Sequence, residues 1–97
     1  MMRVEEKVLF KIDTNPINGS ISVRIDDVVK EGDTEISRIP HRHALVPFVS
    51  VKNSDGTWTH TDTDLSNEYD SVQAVAAALW TDEIKEIYKE FVESSVF

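Results

Sequence analysis

Residues 72–92, VQAVAAALWTDEIKEIYKEFV, carry two apolar stripes: Val72, Val75, Ala76, Leu79 and Trp80, then Ile84, Ile87, Tyr88, Phe91 and Val92. Each stripe follows the i, i+3, i+4, i+7, i+8 recurrence of one buried helix face. On one straight helix the second stripe would lie roughly 120° around the axis from the first, so both could not face a single core. Either the helix breaks at Thr81, whose hydroxyl would cap a new start led by Asp82 and Glu83, or it continues and turns its second stripe to a different partner. The break is the preferred reading. The first helix is expected to be capped by Asp64 or Ser66, with Glu68 and Asp70 in its opening turn.

Upstream the period changes from helical to alternating. Val4, Glu6, Val8, Phe10 and Ile12 alternate with Glu5, Lys7, Leu9, Lys11 and Asp13, and Ile21, Val23 and Ile25 alternate with Ser22 and Arg24. These are half-buried strands. Asn18-Gly19 marks the turn between them, and Pro16 makes that connection longer than a two-residue hairpin. A register setting Ile12 opposite Ile21, Phe10 opposite Val23 and Val8 opposite Ile25 would gather the large apolar residues on one face.

Glu31-Gly32-Asp33 is a second turn, leading to a short strand or extended connector at Glu35 to Ile39. Pro40 and Pro47 bracket His41 to Val46, and Asn53-Ser54-Asp55-Gly56 is a hairpin turn between Phe48–Val51 and Thr57–Thr61. Pro47 suits a strand edge or a bulge. The fold class is therefore α+β: an antiparallel sheet of about four strands (residues 4–61) packed by a C-terminal helical segment (residues 67–94) broken near Thr81. Ninety-seven residues make a single domain, 1–97, able to bury about 60–65% of its unfolded surface.

The absence of cysteine excludes disulfides, thiolate metal sites and cysteine catalysis. The stretch from Met1 to Lys7 lacks a signal-peptide apolar run, and no segment has the composition of a membrane span. The net charge of −8 is placed unevenly. Acids and bases balance through residue 52, whereas ten acids face only Lys85 and Lys89 beyond it. Such a surface repels phosphate backbones and anionic lipid and suits a partner with a basic patch, or simply solvation.

His41-Arg42-His43 is the densest functional cluster. In a strand both histidines point to the same side, but a metal would need a third ligand from His60, Asp62 or Asp64. Asp55, Asp62 and Asp64 fit turns and caps and lack the twelve-residue calcium-loop pattern. No G-x-S-x-G elbow occurs, and the three glycines lie in separate turns, so no phosphate-cradling loop exists. No enzyme activity, cofactor or metal is expected. Trp80 belongs to a core stripe; Trp58, beside a turn, either packs inward or forms an exposed anchor together with Phe48.

Glu35-Ile36-Ser37-Arg38 through His41-Arg42-His43 to Pro47, together with the segment from Val72 through Trp80-Thr81-Asp82-Glu83-Ile84 to Tyr88, resembles small proteins encoded among the structural genes of tailed bacteriophages. The resemblance covers about half the chain. It implies a virion or virion-assembly component, found in the virion or the cytoplasm of the infected host cell, with no site chemistry to carry over. The Phe48–Asp62 hairpin is longer than the corresponding connection in such sequences.

Three functional expectations follow. The first is a non-enzymatic virion protein that binds other virion proteins or its own copies, with Phe48, Trp58, Tyr88, Phe91 and Val92 as partner contacts. The second is an acidic adaptor, assembly chaperone or host-directed inhibitor acting through Asp82, Glu86, Glu90 and Glu93. The third, a metal-dependent enzyme using His41, His43 and His60, would need stoichiometric metal.

Overall fold

The computed structural model describes residues 3–94. The chain is α+β, the described residues forming five strands in two antiparallel sheets followed by two helices. A three-stranded meander is formed by β1 (Arg3–Thr14), β2 (Ile21–Glu31) and β3 (Thr34–Leu45), with β2 central. β4 (Phe48–Lys52) and β5 (Trp58–Asp62) make a separate hairpin. Helices α1 (Asp70–Leu79) and α2 (Asp82–Ser94) follow.

The single four-stranded sheet is thus corrected to three strands plus two. β3 accounts for part of the difference. It continues through Pro40, which pairs with Asp26, instead of stopping at Ile39. Proline is tolerated there because β3 is an edge strand and its outer side needs no ladder donor.

The expected β1–β2 register is also corrected. Thr14 faces Ile21, Ile12 faces Val23 and Leu9 faces Ile25, while Phe10 is left out of the pairing as a bulge. An extra residue flips the side chains that follow it to the opposite face. Leu9 therefore packs against the core, and Phe10 stands outside, 53% exposed, with the Arg24 guanidinium 3.9 Å from its ring centroid. A second bulge leaves Ile36 unpaired between Glu35 and Ser37 on β3.

The core lies at one end of the meander. Ile21 and Val23 pack with Val72 and Ala76 of α1, surrounded by Leu9, Ile12, Ile25, Leu45, Leu65, Val75, Leu79 and Trp80. Each fully buried aliphatic side chain there contributes about 1.5–3 kcal/mol. The first stripe thus meets the sheet as its spacing requires.

Between the helices Trp80 leaves helical geometry at φ −84°, ψ 66°. The Ile84 N–H donates to the Thr81 hydroxyl at 3.3 Å, and Asp82 and Glu83 open the new helix. The break at Thr81 is therefore present. The joint rests on the β1–β2 loop, where the Trp80 indole Nε1–H donates to the Gly19 carbonyl at 2.6 Å. Gly19 has φ +80°, and a Cβ there would stand 2.6 Å from Ile84 Cγ2, so the position demands glycine twice over.

The start of α1 differs from expectation. Tyr69 occupies the cap position with no side-chain cap bond. The Asp64 carboxylate instead accepts from the Ser66 N–H at 2.9 Å, an Asx turn ahead of the helix that holds this acid below the usual carboxylate range.

The sheet outreaches its cover. Twelve strand residues span about 40 Å, whereas the ten-residue α1 spans about 15 Å. The molecule measures 61 × 28 × 21 Å with a radius of gyration of 17.7 Å. A compact chain of this length would have about 13 Å. The core cluster ends at Leu9 and Ile25, and the rest of the meander forms an arm closed by the Gly32-Asp33 turn.

Candidate contact surfaces

The residues expected to meet a partner fall mainly into one cluster inside the chain. On the inner face of the β4–β5 hairpin, Phe48 lies 6.4 Å from the Tyr88 ring and 5.8 Å from the His60 ring between centroids. Lys85 and Lys89 stand 5.9 and 5.1 Å from the Phe48 ring. Phe48 is only 7% exposed, so of the two alternatives the exposed anchor of Trp58 together with Phe48 is not formed: the Phe48 side chain is enclosed where the hairpin meets α2.

Trp58 is half-buried and stacked on His60 at 6.3 Å with an interplanar angle of 7°. Tyr88 and Val92 are half-buried, and burial raises the Tyr88 phenol above its ordinary pKa. Phe91 is 55% exposed. The second stripe thus turns inward at Tyr88, which faces Phe48 of the hairpin, and at Ile84, which lies by Gly19 of the β1–β2 loop; Val92 is half-buried, and no residue of α2 is fully buried. On the hairpin's outer face Val49 and Val51 are exposed.

The three histidines are dispersed among separate carboxylates. His41 Nε2 is 2.8 Å from Asp27, His43 Nε2 is 2.8 Å from Glu68, and His60 Nε2 is 3.3 Å from Glu93 while its Nδ1 meets the Ser50 hydroxyl at 2.7 Å. His41 and His43 share the helix-side face of β3 as their spacing requires. Among the described residues no three His, Cys, Asp or Glu side chains group as metal ligands.

The arm is the surface that sequence reading passed over. Its outward face carries a charge network around Asp26, which is fully buried on the face away from the helices. Asp26 accepts from Arg24 Nε at 2.8 Å and from Arg38 at 2.6 Å, and Arg38 also binds Glu35 at 2.8 Å. The hydrogen bonds from Arg24, then those from Arg38, hold Asp26 below the usual carboxylate range, outweighing burial. The acid is secluded by its own guanidinium partners, which stabilise its charge, and this is why burial does not win. Arg38 in turn lowers Glu35 and is itself raised, first by Glu35 and then by Asp26.

On the helix-side face Lys7 donates to Asp27 at 2.8 Å, lowering Asp27 and raising Lys7. Val28 is buried although it faces away from the helices, with Glu6 and Arg38 as its register neighbours. Val4, Ile36 and Ile39 are 46%, 46% and 55% exposed. Among the described residues no helix is long and apolar enough to cross a membrane. No protein family, curated protein or solved structure matches the chain.

Proposed function

We propose that this chain is a non-enzymatic virion or virion-assembly protein of a tailed phage, acting through protein contacts made chiefly by its β arm. The observation that carries the reading is the overhang: the meander extends well past its helical cover, with both edge strands unpaired among the described residues and Val4, Ile36 and Ile39 exposed. An arm of this kind adds little to the stability of an isolated chain and offers two sheet edges to a neighbour. The phage assignment draws on the likeness of the His41-Arg42-His43 and Val72–Tyr88 segments to phage structural-gene products.

The chain, tagged and produced during infection, should sediment with assembled particles through a density gradient and remain bound in physiological salt. Recovery only from the unassembled fractions would overturn the virion reading. A second reading, a soluble acidic adaptor, is favoured by the exposed Asp82, Glu86 and Glu90 on α2; Glu93 is engaged with His60. An acidic-face contact loses on-rate steeply as salt rises, whereas an apolar arm contact does not.

A further inference from the structure

We propose that β1 joins two copies of this chain edge to edge, antiparallel across a two-fold axis at Glu6. The inference rests on the arm being the contact surface and names its partner as a second copy.

The two edges of the meander are not equivalent. β3 carries Pro40 and the Ile36 bulge along its length, both of which blunt an edge against pairing. β1 contains no proline from Arg3 to Thr14, and its only irregularity is at Phe10, which leaves seven regular residues from Arg3 to Leu9. Residues 3–7 are all exposed.

Two-fold symmetry restricts the register. Residues directly opposite in an antiparallel pair share a face, so the axis must pass through a residue and not between two. With the axis at Glu6, Glu5 faces Lys7 of the second copy and Val4 faces its Val8, and each of these pairs occurs twice. With the axis at Glu5, Arg3 would face Lys7 and Val4 would face Glu6. With the axis at Lys7, Glu5 would face Leu9 and Glu6 would face Val8. An axis at Val8 sets Lys7 against Leu9 and runs into the Phe10 bulge. The Glu6 register alone pairs the whole of residues 3–9, setting Glu5 on Lys7 and Val4 on Val8 and leaving Arg3 opposite Leu9; an axis at Val4 also sets Arg3 against Glu5 but pairs only residues 3–5 among those described.

The side chains are available for it. The Glu5 carboxylate has no hydrogen bond or ion pair among the described residues. Lys7 is 71% exposed while bound to Asp27, which leaves ammonium donors for a second carboxylate. The like pair at the axis is offset within each copy, because Lys30 lies 3.4 Å from Glu6. The joined arms form a continuous six-stranded sheet in which Val4 and Val8 of both copies meet on the face that holds Val28.

The test uses the full chain in sedimentation velocity and light scattering over a concentration series. The mass should rise from one chain to two and stop there. Glu5→Lys sets two cations opposite each other at both ends of the contact and should weaken association at least about tenfold, with the circular dichroism spectrum unchanged. Because the chain has no cysteine, Glu6→Cys reads the register independently: it should oxidise to a disulfide dimer far faster than Ile36→Cys on the opposite edge. A monomer at every concentration, growth beyond two chains, or faster cross-linking at Ile36→Cys would each overturn the proposal. A monomer that still sediments with particles overturns self-pairing and leaves the virion reading standing; a dimer that stays out of particles does the reverse.

Discussion

The two ends of the meander are built from the same three strands and held in different ways. At the helix end Ile21 and Val23 are sealed by Val72 and Ala76, and order comes from apolar burial. Along the arm the buried groups are Asp26 and Val28, and Asp26 is held by ion pairs to Arg24 and Arg38. Length of strand and depth of core are therefore separable: a sheet can continue past its helices where guanidinium groups hold a buried carboxylate.

The sharpest break in that comparison comes from trimming one isoleucine at each end. Ile21→Ala should cost about 2–5 kcal/mol, because a fully buried side chain leaves a cavity. Ile39→Ala, already more than half exposed, should stay within about 0.5 kcal/mol in the same urea titration. Comparable losses would mean that the arm is packed after all.

Gly19→Ala comes next, at about 1–3 kcal/mol from strain at positive φ and the clash with Ile84. Hydrogen exchange should show the loss in α2 and the β1–β2 loop, with the arm hardly changed.

Acid should act in the opposite place. Asp26, Asp27 and Glu35 all have folded-state pKa values below their ordinary ones, lowered first by Arg24, Lys7 and Arg38 respectively. A depressed carboxylate gives its full stabilisation above the ordinary value of about 4, and this is lost as pH falls through the folded-state value. Amide protection in the arm should therefore decline on acidification below about pH 4, before that of Ile21 and Val23. Simultaneous loss would show that the ion pairs do not set the arm's order.

The smallest effect is expected at Thr81→Ala, about 0.5–1 kcal/mol, since the cap bond is long at 3.3 Å. It should appear as reduced helicity of α2 by circular dichroism.

The helices were legible because two phase-shifted stripes on one segment demand a break, and Thr81-Asp82-Glu83 supplies a start signal. The strands were legible from alternation, but alternation does not register an extra residue. Phe10 and Leu9 are both large and apolar, and which one faces inward is settled by the bulge, a tertiary event. Reading Glu35–Ile39 as short hid the arm, because Pro40 reads as a stop unless the strand is known to be an edge. Comparison of strand and helix lengths would have exposed the overhang. Among the contact candidates, Phe48 and Tyr88 lie against each other within the chain, and no local pattern tells a partner from another part of the same chain.

The bond from Trp80 to Gly19 joins positions 61 residues apart, whereas Glu31 and Thr34 are joined by a two-residue turn. Closing a long loop costs entropy before any contact rewards it, and a hairpin forms in about 1–10 μs. On these costs the helix joint is expected to form later than the arm. The arm, which the finished molecule covers least, can zip from its Gly32-Asp33 turn and wait as a template on which the helices settle.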